Sequence, residues 1–384
     1  MKNTRILISG AGIAGLTLAY WLKQYGFTPT LIEKHPFLRK GGYKVDVRGT
    51  AIEVAKHMGI HQSLIDANVN IERSQFVTSN FKIFHFDGDM LGYCCEGDIE
   101  INRWDLSQII AEAVGEVEII YDDSITKLDE KIHFEKGESR KFDLVIGADG
   151  INSTVRKLAF GTDAQFVREV GVHFCIFPIP NIFKLERSEI LYFDKGKFVA
   201  AYAVNGHSLA AFAFKPGKDR ISRENLKGLF EEQFKNLGWE IPRLVTAMKE
   251  SGDCYFDRLA QVRMPTWSNG RVALVGDAAY AAAGIGTSLA MVGAYVLARE
   301  IAQANGDYMT AFARYEKSIR KFIEKGQDMS ASHYQLWKGD SSWLIKCQLY
   351  LMKVLPDKFI RFLTKRGRQR MKKTANAYTL ESLE

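Results

Sequence analysis

Gly10-Ala11-Gly12-Ile13-Ala14-Gly15 is the stretch that decides the fold of this 384-residue chain. It follows the apolar run Thr4–Ser9 and leads into the helical spacing of Ala14–Tyr25, after which Phe27–Ile32 has a strand pattern. The first glycine permits a tight turn, the second lets a pyrophosphate approach the backbone, and the third lets helix and strand pack closely. This strand-turn-helix-strand unit predicts a dinucleotide-binding fold with the phosphates at the helix N-terminus.

An acidic residue completes this motif. Glu33 closes the second strand pattern, where a carboxylate accepts hydrogen bonds from an adenosine ribose and disfavours a 2′-phosphate. The alternative is a glycine-rich turn without a ligand, which the flanking strand and helix disfavour. The motif alone does not distinguish FAD from NAD. The candidate cofactor contacts in this unit are Gly10, Gly12, Ala14, Gly15, Glu33 and Lys34.

Two further strand patterns end on acidic residues. Residues 143–156 are D-L-V-I-G-A-D-G-I-N-S-T-V-R, and residues 271–277 are R-V-A-L-V-G-D. Side chains at such strand ends project toward a bound cofactor, so Asp277 is placed to hydrogen-bond a ribityl hydroxyl. A helix that starts near 286–288 would direct its N–H groups at the pyrimidine O2 of a flavin. The alternative is that Asp149 or Asp277 caps a helix.

These stretches resemble a known family. The nucleotide motif, the pattern Asp149-Gly150-x-x-Ser153-x-x-Arg156 and the pair Gly276-Asp277 are similar in order and spacing to those of FAD-dependent aromatic hydroxylases, the para-hydroxybenzoate hydroxylase superfamily of group A flavin monooxygenases. The resemblance covers about residues 1–305. Residues 39–49 and 100–106 resemble the tetracycline-inactivating monooxygenases in particular.

The resemblance assigns roles to individual residues. It implies that FAD is bound by Glu33, Asp46, Arg103 and Asp277, that Arg39 lies where NADPH approaches, and that Arg48 lies near the flavin and the substrate. It adds Asp149, Gly276, Gly286 and Thr287 as cofactor contacts and implies no metal. The alternatives are a surface cation for Arg103, a structural role for Arg156 and a turn residue for Asp46.

The expected fold class is α/β. The resemblance implies a Rossmann-like FAD-binding domain of the GR2/aromatic-hydroxylase type, formed by residues 1–165 and 261–310. Residues 166–260 change to alternating strand patterns with turn residues between them, which predicts a separate antiparallel-sheet domain that binds the substrate. Residues 311–384 are expected to be C-terminal helices that bridge the domains and end in a basic tail.

The resemblance also implies the reaction. NADPH or NADH is a transient co-substrate that has no binding motif of its own in the sequence, and it reduces FAD. Reaction with O2 then yields a C4a-hydroperoxide that hydroxylates an aromatic or polycyclic small molecule. A tetracycline-like antibiotic is one such substrate, and antibiotic resistance is the corresponding role. The substrate sheet is rich in aromatic residues, most of which we expect in its own core. His173, alone in an apolar run, is expected to be a core or wall residue rather than a base.

One departure from the family keeps other hypotheses open. Relatives carry a longer, proline-containing loop after the Gly-Asp pair, whereas here 278–283 run directly into Gly284-x-Gly286 without proline. That loop lines the flavin beside the reaction site. The alternatives are therefore a related flavin oxidase, halogenase or reductase, or a degenerate FAD-binding protein without monooxygenase turnover.

Charge and composition restrict partners and location. Residues 343–384 contain ten Lys and Arg against three Asp and Glu, so the whole net charge of +7 arises there. A body without a basic face argues against nucleic-acid binding. For the tail, a solvated amphipathic helix is preferred to contact with an anionic membrane surface. The five cysteines form no C-x-x-C pair, and no signal peptide or spanning segment is recognised, which predicts a cytoplasmic protein.

Overall fold

The computed structural model describes residues 1–39, 42–78, 82–87, 95, 97–194, 196–204, 206–215, 225–335 and 367–380. The strands are β1 (Arg5–Ser9), β2 (Thr28–Glu33), β3 (Lys44–Val47), β4 (Arg73–Val77), β5 (Ile83–Asp87), β6 (Ile99–Asn102), β7 (Glu118–Tyr121), β8 (Ile125–Leu128), β9 (Ile132–Phe134), β10 (Leu144–Gly147), β11 (Val167–Ile179), β12 (Ser188–Asp194), β13 (Lys197–Val204), β14 (His207–Phe214), β15 (Tyr255–Val262), β16 (Ser268–Asn269) and β17 (Val272–Leu274).

The helices lie between these strands and after them. They are α1 (Ile13–Gln24), α2 (Thr50–His57), α3 (His61–Asp66), α4 (Arg103–Val114), α5 (Thr154–Ala159), α6 (Asp163–Phe166), α7 (Leu226–Phe234), α8 (Ile241–Glu250), α9 (Asp277–Tyr280), α10 (Gly286–Gln303), α11 (Tyr308–Gln335) and a last helix, α12, over 367–375. No helix within the described ranges is long and apolar enough to cross a membrane.

A six-stranded sheet forms the first layer, in the order β16-β17-β10-β1-β2-β7. All its pairings are parallel except that of β16 with β17. β1 and β10 are almost wholly buried apolar strands, as expected of parallel strands covered by helices on both faces. α1 and α10 pack against each other beside this sheet, and the predicted Rossmann-like fold is confirmed.

The second sheet has seven strands in the order β15-β11-β14-β13-β12-β4-β5. Its pairings are antiparallel except that of β12 with β4, where Ser188 is opposite Arg73. The predicted domain division is therefore wrong for 73–87, which it placed in the FAD-binding domain, and β15 continues past 260 to Val262. Pairing between strands more than 100 residues apart cannot be inferred from local alternation, which explains the error.

Side-chain alternation gives the second sheet two different faces. On β11, Cys175 and Phe177 point toward α7 and α8 and join their apolar cluster, whereas Phe174 and Ile176 point the other way, toward the first sheet. Four of the eight aromatic residues of β11–β14 pack in that cluster: Phe177, Tyr192, Phe212 and Phe214. The other four lie in the apolar cluster on the opposite face, toward the first sheet: Phe174, Phe193, Phe198 and Tyr202.

The C-terminal segment packs on the first domain. α12 buries Met371 and Ala375 in the main core, and Tyr378 stacks near Phe322 of α11. The backbone oxygen of Tyr378 accepts a hydrogen bond from Thr50, at the start of α2. Of the C-terminal helices predicted over 311–384, residues 336–366 and 381–384 lie outside the described residues.

Candidate functional site

A cavity of about 580 Å³ lies between the two sheets. One wall is the glycine turn with the N-terminus of α10, and the opposite wall is the exposed face of the second sheet. Ten of the residues predicted to contact a cofactor line it: Gly12, Ala14, Lys34, Arg39, Asp46, Arg103, Asp149, Asp277, Gly286 and Thr287. Segments far apart in the chain thus converge on one space.

The three motif positions require glycine for different physical reasons. Gly10 has a φ of +103°, and a Cβ there would lie 2.5 Å from the Ala148 carbonyl oxygen. A Cβ at Gly15 would overlap the carbonyl oxygen of Gly10. At Gly12, by contrast, an added Cβ meets nothing within 4 Å and would occupy the cavity. Gly10 and Gly15 therefore shape the turn, and Gly12 leaves the open space that a pyrophosphate needs.

Glu33 stabilises this turn from the end of β2. Its Oε2 accepts a hydrogen bond from the Ala11 N–H at 2.9 Å, and its Oε1 accepts one from the His35 N–H at 3.1 Å. Each carboxylate oxygen retains a second lone pair. Its hydrogen bond to a ribose stays a prediction, whereas its neighbour Lys34 lines the cavity directly.

Asp149 caps α5. Its carboxylate accepts hydrogen bonds from Ser153 Oγ at 2.5 Å and from the N–H groups of Thr154 and Val155 at 2.7 and 3.1 Å. Burial raises the pKa of this carboxyl. The helix-cap alternative thus describes what its side chain does, and three protein hydrogen bonds hold the carboxylate at the edge of the cavity.

Arg156 has the structural role that the sequence left as an alternative. Its guanidinium is fully buried, forms an ion pair with Asp163 at 2.6 Å and donates to the carbonyl oxygens of Ile151 and Ala278. The contact with Ala278 connects α5 to α9. Arg156 therefore fixes the backbone directly behind Asp277 and has no place in the cavity.

Asp277 is the acid that faces the cavity. Its side chain is accessible within the cavity although protein surrounds it, and burial, with Asp257 contributing, raises its pKa to about 6. Within the described part of the chain, no hydrogen bond to this carboxylate is formed. Its Oδ1 would lie 3.4 Å from a Cβ at Gly286, so the carboxylate and the N-terminus of α10 share one wall. This wall fits a polyhydroxylated, partly anionic ligand.

The short loop after α9 keeps this wall intact. Residues 281–285 line the cavity, and Gly284 has a φ of +82°. Gln327 of α11 donates to the carbonyl oxygens of Val262 and Ala281, which ties the loop to β15. The missing proline therefore does not displace the start of α10, which lies at Gly286, one residue from where the sequence predicts it.

Arg48 lies elsewhere than expected. Its guanidinium is 1% exposed and forms ion pairs with Asp46 at 2.7 Å and Asp98 at 3.3 Å, and it is not among the residues that line the cavity. The backbone N–H of Arg48 donates a hydrogen bond to Ser288 Oγ in the first turn of α10. The expected position beside flavin and substrate is corrected: two carboxylates draw the side chain behind the wall, which it supports.

A second cavity, of about 690 Å³, opens beside the first. The two share five lining residues: Arg39, Tyr43, Arg103, Ile176 and Tyr255. The guanidinium of Arg39 lies 4.4 Å from the centre of the Tyr255 ring, which stacks on Tyr43 at 5.8 Å. Trp104 and Gln108 of α4 complete the lining. Arg39 thus stands where the two cavities join.

Sequence reasoning missed the tyrosines and acid at this junction. Tyr43, Tyr255 and Asp257 carry no motif, and Tyr255 follows a helix with no distinguishing spacing. The Tyr255 hydroxyl donates a hydrogen bond to Asp257 Oδ2 at 2.6 Å, and burial raises the pKa of Tyr255. Only the pairing of β15 with β11 brings them opposite the glycine turn.

A buried charge cluster, also missed, joins the two-stranded sheet of β3 and β6 to the second sheet at the cavity wall. Lys44 Nζ contacts Glu100 at 2.8 Å and Glu189 at 3.2 Å, and Glu189 accepts a further hydrogen bond from Ser74 at 2.7 Å. Lys44 lines the cavity, and its ammonium lies 5.4 Å from the ring of Tyr202. Because Lys44 is on β3 and Glu189 on β12, the cluster connects the two-stranded sheet to the second sheet.

Comparison with known proteins agrees with this geometry. The family described as "FAD binding domain" matches residues 3–322. A flavin-dependent monooxygenase of Legionella longbeachae is 36% identical over 90% of this chain and 91% of its own length. Two tetracycline destructases have the same fold: Tet(51), with a TM-score of 0.85 and 31% identity over 98% of this chain and 99% of its own, and Tet(55), with 0.85 and 33% over 99% of each.

Proposed function

Because this chain belongs to the FAD-binding-domain family and is related to flavin-dependent monooxygenases, we propose that it uses NAD(P)H and O2 to hydroxylate an aromatic or polycyclic small molecule. A tetracycline-like antibiotic is the favoured substrate class, given the similarity to Tet(51) and Tet(55). The observation that carries the proposal is the shared cavity, with cofactor-type contacts on one wall and aromatic side chains on the other.

The residues of the first wall fit FAD. Gly12 leaves room for the pyrophosphate, Asp277 offers an acceptor to ribityl hydroxyls, and the N–H groups at Gly286 and Thr287 are available to the flavin pyrimidine. Bound FAD supplies the electron-transfer and oxygen-activating chemistry. The positive end of the α10 dipole favours negative charge placed at that N-terminus.

The opposite wall suits a flat substrate. Phe174 and Phe198 line the cavity, and their ring faces and edges can hold a planar ligand by offset or edge-to-face contacts. The same apolar surface excludes water from the space beside the cofactor wall. The chain thus binds and orients its substrate, and it requires no nucleophile of its own.

The junction of the two cavities supports the co-substrate proposal. Arg39 and Arg103 line both cavities, and guanidinium groups are suited to bind phosphate oxygens. We place the approach of NADPH or NADH along the second cavity, with Arg39 as its anionic contact. Tyr255 orients Arg39 through the ring contact described above.

The proposal is tested by NADPH consumption of the purified holoenzyme across a panel of tetracyclines and other polycyclic phenols, with hydrogen peroxide quantified in parallel. A compound that accelerates NADPH oxidation and gains one oxygen atom supports the proposal and identifies the substrate class. The short, proline-free stretch 278–283 favours a second candidate, an oxidase or an FAD-binding protein without monooxygenase turnover. That candidate replaces the first if no compound is oxygenated and the reducing equivalents appear only as peroxide.

A further inference from the structure

Two cysteines of the second sheet form a pair that the proposed reaction does not use. Cys175 of β11 is opposite Phe256 of β15, and Cys254 precedes Phe256 by two residues. Because side chains alternate along a strand, Cys254 and Phe256 point to the same face, which makes Cys254 the diagonal neighbour of Cys175. Both cysteines belong to the apolar cluster under α7 and α8, and both are free thiols.

The two thiols differ in environment. Cys175 is completely buried, and burial raises its pKa. Cys254 is half-buried four residues after the end of α8, and its thiol donates to the carbonyl oxygen of Met248 at 3.3 Å. The hydrogen bond from the Cys175 thiol lowers the pKa of Cys254 to about 7, with help from Ser251 and the Lys227 ammonium. Lys227 is held there by its hydrogen bonds to the carbonyl oxygens of Lys249 and Ser251.

Cys254 is the thiol that peroxide can reach, and Cys175 is the thiol nearest to it along the sheet. An accessible cysteine that is partly thiolate near neutral pH reacts with peroxides, and a neighbouring thiol then traps the product. We propose that Cys254 and Cys175 are a peroxide-oxidisable dithiol pair, in which hydrogen peroxide oxidises Cys254 and Cys175 closes a disulfide.

The two steps balance. The Cys254 thiolate attacks one oxygen of hydrogen peroxide, the O–O bond breaks, and hydroxide leaves a sulfenic acid on Cys254. The Cys175 sulfur then attacks the Cys254 sulfur, the S–O bond breaks, and the hydroxyl departs as water with the proton of Cys175. Two thiols lose two electrons in total, and the peroxide is reduced to water.

The strand geometry permits the bond and couples it to the cavities. Diagonal neighbours lie at about 7–8 Å between Cα atoms, and a disulfide needs Cβ atoms at about 3.5–4.5 Å, so Cys254 must shift toward β11. Tyr255 is the first residue of β15 and the end of its pairing with β11, so Cys254 lies just outside the strand. Tyr255 is the next residue and supports Arg39, so oxidation is expected to disturb the junction of the two cavities.

The experiment uses the holoenzyme with added hydrogen peroxide and no NADPH, followed by thiol titration and peptide mass mapping. We expect two of the five thiols to be lost and a peptide linking Cys175 to Cys254, lighter by two hydrogen atoms, to appear; dithiothreitol should reverse both. Cys254→Ser should abolish the loss, and Cys175→Ala should leave a sulfenic acid on Cys254 that dimedone traps. Cys95→Ser, at a described cysteine outside the pair, is the matched control and should behave as wild type.

The dithiol pair rests on the proposed function only for the internal supply of peroxide. A negative result for the pair is therefore distinguishable from a negative result for monooxygenase activity. Added peroxide and counted thiols make the result independent of turnover. Oxidation of Cys95 while the pair stays reduced, or overoxidation of Cys254 without a link to Cys175, would overturn the dithiol pair. A linked pair that leaves the KM for NADPH unchanged would overturn its coupling to Arg39.

Discussion

Asp277 and Asp149 show that similar sequence contexts give different chemistry at the scale of the residue. Both end a strand of the first sheet and precede a helix. The carboxylate of Asp149 is used by the N–H groups of α5, whereas that of Asp277 faces the cavity. Asp277 is itself the first residue of the single short turn α9, whereas Asp149 precedes α5 by five residues and accepts from its first N–H groups.

Asp277→Ala is expected to weaken FAD binding without unfolding the protein. A hydrogen bond to a charged group contributes about 1.5–3 kcal/mol, which corresponds to a roughly 10- to 100-fold rise in the Kd for FAD. Flavin fluorescence titration of the apoprotein measures the Kd, and Asp277→Asn, which retains one acceptor oxygen, should lose less. Unchanged FAD affinity in Asp277→Ala would remove this residue from the site.

The same carboxyl predicts a pH dependence of folding in the cofactor-free protein. Its pKa rises from 3.8 in the unfolded reference to about 6 in the folded chain. Because the folded state binds this proton more tightly, the stabilisation is complete below pH 3.8 and is lost as the pH rises through about 6. Tm measured across this window should fall more steeply with rising pH for wild type than for Asp277→Asn, and parallel profiles would contradict the assignment.

At the scale of elements, the start of α2 depends on the C-terminal helix. Gly49 has a φ of +53°, and a Cβ there would lie 2.8 Å from the Cβ of Ala375 and would overlap its carbonyl oxygen. α12 thus packs against the residue that follows Arg48, and Arg48 in turn hydrogen-bonds the first turn of α10. A segment remote in sequence therefore supports the cofactor wall from behind.

Gly49→Ala should destabilise the fold by more than backbone strain alone. A left-handed alanine costs about 1–2 kcal/mol, and the collision with Ala375 adds to it, so about 2–5 kcal/mol is expected in urea unfolding. Gly59→Ala is the matched control, because Gly59 has a φ of +73° but an added Cβ meets nothing within 4 Å. Equal losses in the two variants would show that α12 does not press on Gly49.

For the whole molecule, the decisive feature is that two sheets with separate cores enclose the cavities between them. The first sheet and its helices form one apolar cluster, and the second sheet has its own clusters on its two faces. Arg39 and Tyr255 come from different layers and meet where both cavities join. Function at that point therefore depends on how the layers are placed.

Arg39→Ala should raise the KM for NADPH about tenfold, since loss of one charge-assisted contact of about 1.4 kcal/mol changes affinity by that factor. Steady-state kinetics with varied NADPH provide the measurement, with kcat at saturating NADPH expected to change less than KM. Arg243→Ala, which removes an exposed arginine of α8, controls for the change of net charge. A KM that rises equally in both variants would point to a general charge effect.

The sequence by itself determined the dinucleotide-binding unit, because the steric demands at Gly10 and Gly15 arise among neighbouring segments and glycine alone meets them. The strands after residue 166 were likewise predicted from the sequence, because alternation along a strand is a local pattern. The start of α10 was predicted to within one residue, since a Gly-rich stretch before an apolar helix is a local signal.

Only the tertiary structure decided what surrounds the cavity. The addition of β4 and β5 to the second sheet depends on pairing across more than 100 residues, which local periodicity does not encode. The burial of Arg48 depends on Asp98, whose distance from it in the folded chain no spacing rule specifies. Tyr255 and Arg39 acquire their roles for the same reason: contact energies between distant segments act only after the two sheets have packed.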